Sequence, residues 1–379
     1  MTDALAPKPG IDLSDEQRLS WLRLIRSDNI GPATFVELIN HFGSASDALE
    51  ALPDLAARGR ARKSMKIASP AAASRELEAL AHHGGSIVCL GEKDYPPALR
   101  AADNPPPVIS VRGNRDILSR DAVAFVGSRN ASMAGVKLTG QLARDVGAEG
   151  FSIVSGLARG IDSAAHRASL VSGTVAIFAG GVDHIYPPEN VGLVDDILKT
   201  GGAVVSEMPL GWKPRAQDFP RRNRIVAGMS LGLVVVEAAR RSGSLISARL
   251  ANEMGRLVFA VPGSPLDPRS EGANHLIKQG AQLITSASDI VDAMRPIAAD
   301  AAQSTYSLNE TDRDEVECEQ ANETDRDRLL AALGHAPTDV DDIMQFTGLP
   351  PGKLQLMVLE MEIAGTIERH TGNRISLAG

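Results

Sequence analysis

Four times between Ala122 and Pro262, a run of small apolar residues ends in a glycine-bearing turn, and each turn is followed by a segment with helical periodicity. The turns are Gly127-Ser128-Arg129, Ser155-Gly156-Leu157-Ala158-Arg159-Gly160, Ala179-Gly180-Gly181, and Glu237 through Arg241-Ser242-Gly243-Ser244. The runs are continuous rather than alternating, as in Ala122-Val123-Ala124-Phe125-Val126, which strands require when helices cover both faces of their sheet. Strands are expected at 122–127, 152–155, 174–179, 203–206, 232–237, 257–261 and 282–284. Helices are expected at 131–148, 160–171, 189–198, 220–229, 243–254, 272–279 and 288–295. Such alternation implies an α/β fold, an extended Rossmann-type domain with a mostly parallel sheet and right-handed crossovers. All the turns then lie along one sheet edge, where helix N-termini offer backbone N–H groups to phosphates.

The remaining chain divides by composition. Residues 1–14 hold Pro, Gly and Asp without periodicity and read as a disordered N-terminus. Residues 15–75 are helical, with Trp21, Leu22, Leu24 and Ile25 on one face and Phe35, Leu38, Ile39 and Phe42 on another. Asn29-Ile30-Gly31-Pro32 stops one helix and starts the next, giving a small SAM-like or helix-hairpin-helix-like domain whose commoner use is packing. The α/β domain is expected at 80–296. Residues 297–325 hold nine acidic residues, one arginine and few large apolar side chains, the composition of a linker. Within 326–379, three helical segments precede Thr366–Arg369 and Arg374–Leu377 around Thr371-Gly372-Asn373, a winged-helix pattern. The expected third helix, 350–365, offers Lys353 against Glu360 and Glu362, which favours a protein contact or weak DNA assistance over sequence-specific readout.

Global charge does not announce a nucleic-acid partner, because the net charge is −8. Locally it reverses. Residues 213–256 carry Lys213, Arg215, Arg221, Arg222, Arg224, Arg240, Arg241, Arg249 and Arg256 against Asp218, Glu237 and Glu253, or 9 − 3 = +6. Phe219-Pro220-Arg221-Arg222-Asn223-Arg224 sets an aromatic among guanidinium groups, a combination that stacks bases and tracks a single-stranded backbone. The turn after the first strand reads Gly-Ser-Arg-Asn-Ala-Ser and lacks the dinucleotide fingerprint; Arg129 adds a side chain able to fork onto a phosphate, and Ser132 can cap the next helix. Gly156 and Gly160 permit close backbone approach to a ligand. Asp162 and His166 stand one helical turn apart without a third ligand nearby, so helix polarity outweighs a metal or catalytic reading. Nothing resembles a Walker motif, a catalytic triad or a zinc cluster, and no catalytic machinery is visible in the sequence. Cys89 and Cys318 have no pairing spacing, and neither a signal peptide nor a membrane-length apolar run is evident, so a cytoplasmic protein without membrane association is expected.

Taken in order, Gly-Ser-Arg at 127–129, Ser-Gly-Leu-Ala-Arg-Gly-Ile-Asp at 155–162, Tyr-Pro-Pro-Glu-Asn at 186–190, Phe-Pro-Arg-Arg-Asn-Arg-Ile at 219–225, Glu-Ala with Ser-Gly-Ser at 237–244 and Val-Pro-Gly at 261–263 resemble the DNA-processing DprA (Smf) family. The resemblance implies an extended Rossmann domain that binds single-stranded DNA, protects it and loads the RecA recombinase in natural transformation, without catalysis, as a homodimer paired through that domain. It implies a DNA site of Gly127, Ser128, Arg129, Ser155, Gly156, Arg159, Gly160, Lys213, Arg215, Phe219, Arg221, Arg222, Asn223, Arg224, Arg241, Ser242, Gly243 and Ser244. Arg129 would contact phosphate, Phe219 would stack on a base, and the arginines after it would line the groove. Family members usually carry a lysine shortly before the Phe-Pro pair; here Ala216, Gln217 and Asp218 precede it, so Lys213 or Arg215 must substitute. The competing readings are a Rossmann-type nucleoside monophosphate hydrolase, related to lysine-decarboxylase-like proteins and using Glu237, and a winged-helix transcription regulator with a Rossmann sensor.

Overall fold

The computed structural model describes residues 12–60, 65–301, 323–370 and 372–378. The chain opens with α1 (Asp15–Ile25), α2 (Pro32–Phe42), α3 (Ala45–Arg58) and α4 (Pro70–His82), followed by β1 (Gly85–Cys89), the single turn α5 (Pro97–Arg100) and β2 (Val108–Gly113). The alternation then runs β3 (Ala122–Val126), α6 (Met133–Ala148), β4 (Ser152–Ser155), α7 (Ile161–Ala168), β5 (Thr174–Ile177), α8 (Val191–Lys199), β6 (Ala203–Ser206) and α9 (Asp218–Gly228). It continues through β7 (Gly232–Val235), α10 (Gly243–Glu253), β8 (Leu257–Ala260), α11 (Glu271–Lys278), β9 (Gln282–Leu283) and α12 (Ala287–Ala301). The last elements are α13 (Glu323–Ala332), β10 (Thr338–Asp339), α14 (Val340–Thr347), α15 (Pro351–Ile363), β11 (Ile367–His370) and β12 (Arg374–Leu377).

Two compact units result, one centred on residues 75–301 and the other built from residues 13–74 together with those from 323 onward. In the first, nine strands form one sheet in the order β1-β2-β6-β5-β4-β3-β7-β8-β9. From β6 through to β9 the neighbours are parallel, while β1 and β2 add an antiparallel edge, Ser110 facing Ser206. The chain steps outward from β3 to β6, then crosses back to lay β7 against the other side of β3, with Val126 opposite Val235. The turns after β3 and β7 therefore leave the sheet toward opposite faces, and a crevice opens between them. The unit has an apolar core in which Val123, Phe125, Ile153, Val234 and Phe259 meet Leu142, Val146 and Ile161.

Helix α12 runs past the expected boundary at 296, because Ile297 and Ala298 still pack on this core and extend the face begun by Met294. Residues 297–301 of the expected linker are therefore part of α12 and residues 323–325 part of α13; the rest of it, and nearly all of the expected disordered N-terminus, lie outside the described residues.

In the second unit, Gly31 and Pro32 begin α2 as the Gly-Pro hinge predicts, and Trp21 packs edge-on against Phe35 at 4.9 Å between centroids. Ser14 and Gln17 close a capping box on α1. The C-terminal segment forms α13 to α15 over a β10-β12-β11 sheet, the winged-helix arrangement, with a core of Leu329, Leu333, Ile343, Leu354, Met357, Met361 and Ile375.

Phe125 is fully buried in the core of the α/β unit. Phe125→Ala is expected to lower the unfolding free energy by about 3–5 kcal/mol in urea titration, without changing the unfolding slope.

Candidate functional site

The crevice holds two adjoining lobes. The larger, about 550 Å³, is lined by Gly127, Ser128, Arg129 and Asn130 after β3, by Phe219, Arg222 and Asn223 of α9, and by Arg241, Ser242, Gly243 and Ser244 at the start of α10. The smaller, about 390 Å³, is lined by Arg129, Gly156, Arg159, Tyr186, Pro187, Phe219 and Arg222. Arg129, Phe219 and Arg222 belong to both and form the saddle between them. Ser242 caps α10, accepting from the Ser244 amide and meeting its hydroxyl at 2.6 Å, so a helix N-terminus with its partial positive charge opens into the larger lobe.

Arg222 is the unusual member. Its side chain fills the space that a Cβ on Gly156 would need, with Nη1 only 1.1 Å from that position. The residue is 6 % exposed, and its Nε has no hydrogen-bond partner among the described residues. Burial lowers the affinity of this guanidinium for its proton, and the charge of Asp162 works in the opposite direction. Asp162 is held by the amides of Gly156 and Ala158, each at 3.2 Å, and burial raises its pKa while Arg222 opposes the shift. His166 donates or accepts at Thr174 Oγ1 (2.7 Å); burial, reinforced by Arg222, lowers its pKa to about 3, so it stays neutral. Asp162 thus supplies a counter-charge to Arg222, while His166 is a buried neutral ring held at Thr174. Among the described residues, no group of three or more acidic, His or Cys side chains is placed to hold a metal ion.

Several residues expected to contact a ligand also have structural roles of their own. Gly156 and Gly160 do permit close approach, but by Arg222 and by the Ser128 carbonyl, which a Cβ on Gly160 would meet at 2.2 Å; Gly160 also has a φ of 72°. Ser155 is buried and donates to the Phe125 carbonyl at 2.6 Å. Gly127 lines the larger lobe, yet a side chain there would strike Ile161.

The basic segment is also dispersed. Arg224 pairs with Glu207 and donates to the Asn104 carbonyl at 3.1 Å, and Arg221 points to the same Glu207 at 4.0 Å. Arg215 lies over the Trp212 ring at 4.2 Å and beside Asp218, whose carboxylate accepts from the Trp212 indole and the Arg215 amide. Arg240 faces Glu271, Arg249 faces Glu253, and Arg256 donates to the Ala98 carbonyl. Arg159 pairs with Glu189 at the rim of the smaller lobe. Lys213, Arg215, Arg221 and Arg224 line neither lobe. Most of the nine cations are thus engaged by carboxylates or carbonyls, several of them from outside the segment.

Phe219 is half-buried, with Arg129 5.6 Å above its ring and Tyr186 packed edge-on at 5.5 Å. Tyr186, 50 % exposed, was not among the expected site residues. Its signal was present in the Tyr-Pro-Pro turn, but only the fold carries it to Phe219. Glu237 does not line either lobe: its carboxylate accepts from the Ser132 amide (2.9 Å) and hydroxyl (2.5 Å), and so joins the end of β7 to the start of α6.

Fold and crevice together define a class: a Rossmann-type α/β protein with an arginine- and aromatic-lined switch-point cleft, flanked in sequence by a helical module and a winged helix. Residues 86–295 match the family model for DNA recombination-mediator protein A, residues 15–79 the DprA-like N-terminal HHH domain and residues 314–373 the DprA winged helix domain. Protein Smf of Escherichia coli is 38% identical over 309 residues, covering 79% of each chain. The crystal structure of DNA processing protein A from Streptococcus pneumoniae superposes with a TM-score of 0.61 at 33% identity, over 74% of this chain and 98% of that one. DNA processing protein A from Helicobacter pylori, described with its single-stranded DNA binding mode, gives a TM-score of 0.51 at 28% identity, over 56% and 96%. The chain belongs to the DprA/Smf family.

Gly156→Ala is expected to displace Arg222 and cost about 1–3 kcal/mol of stability by calorimetry. A neutral buried His166 takes up a proton only on unfolding. Stability is therefore intact above the ordinary histidine pKa of 6.5 and falls as pH drops from there toward about 3. His166→Asn should reduce the slope of unfolding free energy against pH in that window by up to about 1.4 kcal/mol per pH unit.

Proposed function

We propose that this protein is a non-catalytic recombination mediator: it binds single-stranded DNA along the two-lobed cleft, protects it, and passes it to the RecA recombinase during natural transformation, acting in the cytoplasm as a homodimer. The observation that carries this reading is the saddle, where an aromatic ring and two guanidinium groups are shared by adjoining lobes. The volume of either lobe suits a small ligand as well as a nucleotide unit. Continuity through Arg129, Phe219 and Arg222 favours a polymer that occupies both lobes in succession.

Each part has a role. A base stacks against Phe219, braced by Tyr186, and Arg129 turns from the ring face toward the adjoining phosphate. The α10 N-terminus and Arg241 receive a second phosphate. Arg222, buried and short of hydrogen-bond partners, gives the saddle a positive potential that water screens poorly. Lys213, Arg215 and Arg221 lie outside the lobes and act at most on a strand that extends beyond them. A hydrolase would need Glu237 free to act on a bound nucleotide, whereas this carboxylate is engaged by Ser132.

Titration of oligo-dT at several salt concentrations tests the reading. Arg129→Ala is expected to weaken binding about tenfold and flatten the salt slope by about 0.7, the share of one phosphate contact. Phe219→Ala should cost about 1–3 kcal/mol with an unchanged slope, the signature of lost stacking. Arg224→Ala should lower thermal stability with little effect on affinity. Equal affinity for duplex and single strand, or release of base from AMP that Glu237→Gln abolishes, would overturn the proposal.

A further inference from the structure

A winged helix that reads DNA keeps one face of its third helix open, so that side chains reach base edges in the major groove. Helix α15 has no such face over its last two turns. Leu354, Met357, Val358 and Met361 belong to the module's own core. Leu356, Leu359 and Ile363, at helical spacing on the other side, lie outside that core and are nevertheless buried, as is Glu360. Their cover is α2 and α3 of the same unit.

The contact is close and chemically matched. A Cβ on Gly59, just beyond α3, would lie 2.0 Å from the Glu360 carbonyl, so bare backbone is what allows the helix to approach. Arg369 forks onto both oxygens of Glu37 at 2.7 and 2.9 Å and reaches Glu362 with Nε at 3.3 Å. Asn29 donates to the Ile363 carbonyl at 3.0 Å, and Thr366 donates to the Gly59 carbonyl at 3.0 Å. Glu360 takes Arg326 at 2.8 Å and Arg58 at 3.5 Å. Lys353, the only basic residue of α15, is bound to Asp325 at 2.7 Å. The helix thus presents apolar and acidic groups to basic and apolar partners, and keeps no cation in reserve for a phosphate.

We propose that α15 is a docking helix whose occupant is this chain's own α2–α3 pair. The winged-helix module clasps the two ends of the chain into one cooperative unit and does not read duplex DNA. The inference is independent of the cleft, so the two fail separately.

Two measurements on the full chain test it. Gln355 borders a cavity facing Glu37, Asn40 and His41. The photo-crosslinker p-benzoylphenylalanine in place of Gln355 should capture residues 37–41 of the same chain, and the yield should persist in excess duplex oligonucleotide; transfer of the crosslink to the duplex would overturn the proposal. In hydrogen exchange, Glu37→Arg and Arg369→Glu should each speed exchange about tenfold in α2, α3 and α15 together, and the double reversal should restore most of the protection. Amides of the α/β sheet and oligo-dT affinity should not change. Faster exchange in α15 alone, or no recovery in the double variant, would show that the helices are not one unit and sink the idea.

Discussion

A guanidinium buried against a glycine organises the cleft. Arg222 occupies the volume above Gly156, Asp162 supplies its counter-charge, and the 155–162 turn is folded around that carboxylate by two backbone amides. Because Arg222 lies on α9, this burial also sets where Phe219 and Asn223 stand, one helical turn and one residue away. A buried charge of this kind is a poor source of stability and a strong source of position: moving it would leave the buried Asp162 uncompensated. The saddle between the lobes is therefore built around a fixed positive centre.

The charge that faces the cleft is assembled by topology and not by sequence proximity. Arg129 follows β3, Arg222 rides on α9 and Arg241 precedes α10, and they meet because the order in which strands are added reverses between β3 and β7. The arginines that made 213–256 look like a basic tract are mostly engaged elsewhere, Arg224 with Glu207 and Arg256 with a backbone carbonyl. A protein of net charge −8 can thus carry a cationic crevice without a cationic surface.

At the chain ends, an interface replaces what looked like two separate modules. Gly59, Asn29 and Glu37 come from the helical segment, Glu360, Ile363 and Arg369 from the winged helix, and each side leaves polar groups that the other satisfies. Neither half's pattern announces the other. The near-neutral third helix was legible, and its neutrality has a physical counterpart: its charges pair within the unit.

The sequence by itself determined the alternation of strands and helices, the glycine turns along one edge, the Gly-Pro hinge before α2, the winged-helix order and the family motifs. These follow from local periodicity and turn chemistry, which act over a few residues. It also singled out Arg129, Phe219, Arg222 and Arg241. What only the tertiary structure decided is which cations face the cleft, why Gly156 and Gly160 must be glycine, that Tyr186 braces Phe219, and that Glu237 is a tether for α6. Each depends on a partner tens of residues away along the chain, and a charge or a glycine acquires its role from what folding places against it.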